Sequence, residues 1–181
     1  LMGSGPHSGW PHKGAIEIRD LEIKYAPDLP YILKGISLTI PPGAKVGILG
    51  RTGSGKSTLA SSFFRFVEPS RGQILIDDVD LTSLGLEQLR SKLTIVPQDP
   101  VILSGTLREA LDPFQEHSDE EVTAALKSAY LIPSDEAQAA KSNFSDLSYA
   151  IAEGGSNLSG GQRQLLCLGR ALLQRSRVVF L

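Results

Sequence analysis

The stretch Gly50-Arg51-Thr52-Gly53-Ser54-Gly55-Lys56-Ser57 constrains this chain more than any other. It matches the pattern G-x-x-x-x-G-K-[ST] at every fixed position. Glycines let a backbone wrap a compact anion with its N–H groups pointing inward, in conformations that side chains forbid. A helix beginning after Gly55 would add free N–H groups and a partial positive charge. Lys56 would supply a mobile charge for β and γ phosphates. The Ser57 hydroxyl would be a hard oxygen ligand for Mg²⁺. The flanks agree with this. Lys45 to Leu49 reads as a short apolar strand entering the loop. Leu59, Phe63, Phe64 and Val67 are spaced for one packed side of the following helix. The expectation is a nucleoside triphosphate site, although such a loop serves many unrelated enzymes.

Upstream, Ile16 and Ile18 alternate in one phase, and Leu21, Ile23 and Tyr25 in another. The break at Arg19-Asp20 predicts a bulge, or a turn between two short strands. Ile36, Leu38 and Ile40 alternate again and stop at Pro41-Pro42-Gly43. These segments read as antiparallel strands with one face buried. Downstream, residues 73–77 read as a strand, 86–93 as a short helix and 94–96 as a strand. Ser118-Asp119-Glu120-Glu121 is a capping-box pattern that opens a helix running to about Tyr130. Ser159-Gly160-Gly161-Gln162 is a second such pattern, opening a helix over residues 162–174. Residues 141–156 are polar and irregular. Strands and helices alternate enough to give an α/β class, with antiparallel β structure first and a helical insertion between about Leu86 and Leu158.

Composition narrows the function. The formal net charge of −2 gives no electrostatic case for nucleic acid or an anionic membrane surface. One cysteine, Cys167, excludes an intrachain disulfide and reads as a small buried hydrophobe. No stretch approaches the roughly 20 apolar residues that cross a bilayer. Residues 1–14 are rich in Gly, Pro, Ser and His and read as a linker. The apolar ending Val178-Val179-Phe180-Leu181 has no turn after it, so both ends read as cut.

Leu158-Ser159-Gly160-Gly161-Gln162 resembles the signature motif of ABC ATPases in all five positions, and Arg163-Gln164 fits as well. A serine and two glycines at a helix start would form a second anion site. A plain helix cap, with Gln162 serving only Ser159, is the alternative. Gln98, in Val96-Pro97-Gln98-Asp99-Pro100, resembles the Q-loop glutamine. Tyr25 sits where the family places an aromatic residue against adenine. Arg177 to Leu181 resembles the start of the Walker B strand. Four features resemble the C subfamily, the multidrug-resistance-associated type, and its second nucleotide-binding domain most. They are Trp10-Pro11, the run from Ile102 to Arg108, Leu111-Asp112-Pro113-Phe114, and Glu153-Gly154-Gly155-Ser156-Asn157.

The resemblance implies a P-loop NTPase (RecA-like) core with an N-terminal antiparallel β subdomain and a helical subdomain at about 86–165. Together these make an ATP-binding domain over 15–181 that is incomplete at its C-terminus. It implies ATP and Mg²⁺ as cofactors. Nucleotide contacts would come from Tyr25, Gly50, Arg51, Thr52, Gly53, Ser54, Gly55, Lys56, Ser57, Thr58 and Gln98. Ser159, Gly160, Gly161 and Gln162 would contact the ATP of a partner domain. Lys56 and Gln98 would carry catalytic roles, and Ser57 and Gln98 would hold the metal. The implied partners are a second nucleotide-binding domain, bound head to tail, and transmembrane domains, at the cytosolic face of a membrane; nucleic acid is not among them. The Walker B acids and the switch histidine are not in the sequence, so this chain alone is expected to hydrolyse little ATP.

A hydrolysis-deficient regulatory ABC domain is the alternative reading. ABC ATPases of DNA-repair type are disfavoured, because the span from Gln98 to Leu158 holds no heptads in place of their coiled coil. Gly169 lies inside the last helix, where glycine costs about 1 kcal/mol relative to alanine. Either close packing or drift would account for it.

Overall fold

Strand β1 (Ile16–Ile23) lies between β2 (Leu33–Ile40) and β3 (Arg71–Ile76), and β4 (Val79–Asp80) follows β3 in the same antiparallel sheet. Ile16, Ile18, Leu21 and Ile23 are all buried. Two residues, not the usual one, separate Ile18 from Leu21, so one face can bury all four only if the strand takes up an extra residue there. The register against both neighbours shifts there. Asp20 takes φ 44, and its N–H donates to Ser37 Oγ at 2.9 Å. The break at Arg19-Asp20 is therefore a bulge within one strand. Gly72 faces it at φ +74, where a Cβ would run into the Arg19 and Asp20 carbonyl oxygens.

The computed structural model describes residues 9–97 and 100–181. The chain divides into two compact units after Leu93. In the first, helix α1 (Lys56–Phe63) follows the glycine loop. It stops where Arg65 turns left-handed (φ 51), before the expected Val67. Leu59, Phe63 and Phe64 are buried as the spacing predicted. A 3₁₀ turn at Leu81–Ser83, capped by the Asp80 carboxylate, leads to helix α2 (Leu86–Arg90).

Three expectations for this unit need correction. First, the segment read as linker is packed from Trp10 onward; residues 1–8 lie outside the described part. Trp10 is 3% exposed, and its indole Nε1–H donates to the Ile76 carbonyl at 2.8 Å. The Asp77 carboxylate accepts four successive backbone N–H groups, from His12, Lys13, Gly14 and Ala15. A Gly/Pro/His-rich segment can be ordered when another element satisfies its donors. Second, Lys45–Leu49 forms no strand. Val46 and Ile48 are half exposed and Leu49 is 96% exposed. A strand exists only through its ladder, and no described strand pairs with this run. Third, β2 buries its face only in part: Leu33 is buried, but Leu38 is 39% exposed. It is one of the two edge strands of the sheet.

Strand β5 (Leu93–Ile95), at the start of the second unit, pairs with strand β8 (Val178–Phe180), and the Val96 N–H donates to the Phe180 carbonyl at 2.8 Å. A short antiparallel pair joins β6 (Gly105–Thr106) to β7 (Ala150–Ile151). Around it pack helices α3 (Leu107–Leu111), α4 (Asp119–Ser128), α5 (Glu136–Ala139) and α6 (Gly160–Gln174). Leu107, Val122, Leu126 and Leu166 sit at the centre of one apolar cluster and are fully buried. Both predicted capping boxes are present, Ser118 with Glu121 and Ser159 with Gln162. A third, Thr106 with Glu109, opens α3. Its T-x-x-E spacing was legible in the sequence as well. The irregular stretch 141–156 contributes buried Phe144 and Ile151 to the cluster. No helix of the described residues is long and apolar enough to cross a membrane.

Candidate nucleotide site

The glycine loop uses its glycines in three ways. Gly53 and Gly55 take φ +81 and +92, backbone that other residues rarely adopt. Gly55 is also tightly confined, because a Cβ there would stand 2.7 Å from Leu33 Cδ2 and 3.2 Å from Ile32 Cγ2. A Cβ at Gly50 would collide with the Ser54 hydroxyl. The loop closes on itself through the Ser54 N–H and the Arg51 carbonyl at 3.1 Å.

Helix α1 then starts with no side-chain cap and no acidic residue in its first turn. Among the described α-helices it alone lacks both. Its first N–H groups and its dipole are left for an anion from outside the helix. Lys56 folds back over the loop, and its ammonium donates to the carbonyls of Gly50 at 2.6 Å and Arg51 at 2.9 Å. The charge is thereby held at the loop where phosphates would lie. Arg51, Thr52, Ser54 and Ser57 are exposed around it.

Two further residues complete this region. Thr58 is 5% exposed in the first turn of α1. Its hydroxyl is 2.9 Å from the Tyr25 hydroxyl, while the Tyr25 residue is 57% exposed. Residue spacing gave no sign of this pairing, because it joins positions 33 apart.

Mg²⁺ fits the donor chemistry. Ser57 offers an exposed hydroxyl on the first turn of α1. Among the described residues no three His, Cys, Asp or Glu side chains cluster to cage a metal. Mg²⁺ is commonly held by one or two protein oxygens with the rest from phosphate and water. Gln98, the other expected ligand, lies outside the described residues.

The residues read as a second anion site lie at the start of α6. The Ser159 Oγ accepts the Gln162 N–H at 3.1 Å, and Gln162 Oε1 accepts the Ser159 N–H at 2.8 Å. This cap occupies Gln162 at both its backbone and its side chain. It uses the Ser159 Oγ only as an acceptor, and Ser159, Gly160 and Gly161 are exposed. The cap therefore leaves the anion-site reading of this motif open to test.

The loop entering this helix is fastened from behind. Arg163 donates to the Leu158 carbonyl at 2.8 Å. Asn157 Oδ1 accepts the Ala152 N–H at 2.9 Å, and its Nδ2 donates to the Ala150 carbonyl at 2.8 Å. Gly155, at φ +66, leaves room that a Cβ would take from Ile102 and Arg163.

A family model described as "ABC transporter" matches residues 33–181. The chain belongs to the ABC transporter family. It is 46% identical over 187 residues to a pleiotropic ABC efflux transporter of multiple drugs from Candida glabrata, covering 97% of this chain and 11% of that protein. It is 44% identical over 192 residues to an ATP-dependent bile acid permease of Saccharomyces cerevisiae, covering 97% of this chain and 12% of that one. It is also 48% identical to ATP-binding cassette sub-family C member 2 of Rattus norvegicus over 180 residues, covering 97% of this chain and 11% of that protein. The chain thus spans about a tenth of the length of these relatives. Among solved structures it is similar to a bacterial Atm1-family ABC exporter with ATP bound, at TM-score 0.78 and 31% identity, over 93% of this chain and 29% of that one.

The α/β P-loop NTPase fold and the C-subfamily resemblance drawn from the motifs are both supported by these matches. As an ABC domain, the chain is of a kind that binds ATP.

Proposed function

We propose that this chain is the nucleotide-binding part of a C-subfamily ABC exporter, residues 15–181 forming the ATP-binding domain with a helical part at about 86–165. In the intact protein it would bind ATP with Mg²⁺ and hydrolyse the terminal phosphate, and the conformational cycle would drive transport across a membrane. The carrying observation is the loop at Gly50–Ser57, with left-handed Gly53 and Gly55, an uncapped α1, and Lys56 folded onto it. Lys56 and the loop amides would hold the β and γ phosphates, Ser57 and Gln98 the metal, and Tyr25 the base. Gln98 would also orient the attacking water.

Ser159, Gly160 and Gly161 would reach the γ phosphate of ATP bound to a partner domain arranged head to tail. ATP would then join the two domains, and its hydrolysis would let them part. Transmembrane domains would take up that motion at the cytosolic face. Both motifs are complete in sequence, which disfavours a hydrolysis-deficient regulatory domain.

Lys56→Ala in the intact protein tests the reading. Removing a charge-assisted partner of the phosphates should weaken ATP binding by about tenfold or more, and suppress turnover. Unchanged affinity and turnover in a nucleotide titration would sink it.

A further inference from the structure

The exposed ring of Tyr25 is fixed at its far end. It stands in the hairpin between β1 and β2, just past the last β1 residue, Ile23. That hairpin is closed by the Ile32 N–H donating to the Ile23 carbonyl at 2.8 Å. More than half of Tyr25 is open to solvent, yet its hydroxyl meets the buried Thr58 hydroxyl at 2.9 Å. Thr58 is the second residue after Lys56, in the first turn of α1, the helix that follows the glycine loop.

We propose that the Thr58 hydroxyl is a positioning group: it anchors Tyr25 so that the exposed ring is already set beside the phosphate loop as a stacking platform for the base. The idea rests on the ATP reading above. A solvent-exposed tyrosine otherwise samples several rotamers, and ordering it on binding costs entropy. A hydrogen bond at the tip of the ring restrains both of its torsions at once. It also ties the ring's position to α1, so that base and phosphate sites keep a fixed spacing. Pre-set contacts raise affinity by lowering the ordering cost.

The test is a double-mutant cycle on MgATP affinity, by titration calorimetry on the intact protein. Thr58→Val replaces the hydroxyl with a methyl of similar shape. Tyr25→Phe keeps the ring and removes its hydroxyl. Each should raise Kd about three- to tenfold, the range for one hydrogen bond. The double variant should be no weaker than either single one. Thr58→Ser should restore most of the affinity, which guards against a folding defect. Tyr25→Ala should bind more weakly than Tyr25→Phe, because the platform itself is gone.

Equal and additive losses in the cycle would overturn the proposal, since Thr58 would then act without Tyr25. Unchanged affinity in Thr58→Val would overturn it too. Wild-type protein that binds no ATP would instead defeat the ATP reading, and this proposal with it. Normal wild-type binding with an additive cycle defeats only the proposal.

Discussion

Gly169 of α6 passes so close to Leu111 that a Cβ on the glycine would stand 3.1 Å from Leu111 Cδ2. Both residues are buried, and Leu111 ends helix α3. Close packing therefore accounts for a glycine in mid-helix. Gly169→Ala should gain about 1 kcal/mol of helix propensity and lose a comparable amount against Leu111. Urea unfolding should place the single variant within roughly 1 kcal/mol of wild type. In a Leu111→Val background, where the crowding atom is withdrawn, the same alanine should become stabilising relative to that background. An alanine that stabilises equally in both backgrounds would show that the contact carries no cost.

Asp77 should be a pH-dependent clasp. Burial alone would raise its carboxyl, but the N–H groups of Lys13, Gly14, Ala15 and His12 hold it below the usual carboxylate value. A group depressed in the folded state contributes stability above its unfolded pKa of about 3.9, and loses it as pH falls through the lower folded value. Asp77→Asn should cost about 1.5–3 kcal/mol at pH 7. That difference from wild type should shrink in acid below the unfolded pKa. A constant difference across that window would rule out the carboxylate as the cause.

Asp112 plays a similar part in the second unit. It is 4% exposed and accepts the Glu116 and His117 N–H groups, and it pairs with Arg108 at 3.2 Å. Burial opposes the charge, while these N–H groups and Arg108 outweigh it and lower the carboxyl. Asp112→Ala leaves two backbone donors and a guanidinium short of an acceptor, so it should cost on the order of 3 kcal/mol. Asp112→Asn should cost less, because one carbonyl oxygen remains. Denaturant midpoints of the two variants give the comparison, and equal losses would argue against the ionic contribution.

Ser159→Arg places a bulky charge on the exposed start of α6 and removes its cap. Nucleotide affinity at the Gly50–Ser57 loop should persist, while ATP-driven association with a partner domain should be lost. Ser159→Ala serves as the control for the cap, with an expected cost of about 1 kcal/mol. Sedimentation of the intact protein with ATP reads the association, and undiminished assembly by the arginine variant would remove Ser159 from the composite site.

What could be read from the sequence was local. The glycine loop, the boxes at Ser118–Glu121 and Ser159–Gln162 and the break in alternation at Arg19-Asp20 each depend on residues at most a few positions apart. Their spacing thus carries the geometry. The motif resemblance fixed the family on the same basis. Tertiary structure decided the rest. Trp10 is core because the Ile76 carbonyl and the Asp77 carboxylate lie where its segment enters, more than 60 residues along the chain. Lys45–Leu49 has the composition of a strand, yet no ladder, because a strand depends on its neighbours and apolar pattern alone supplies none. Gly169 had no physical reason before its contact with Leu111 was seen, and the Tyr25–Thr58 hydrogen bond was not legible in spacing. The sequence by itself set where a triphosphate would bind, since backbone conformation at glycines is a short-range property. Which side chains hold that site in shape is a long-range property, and only the fold brings those partners together.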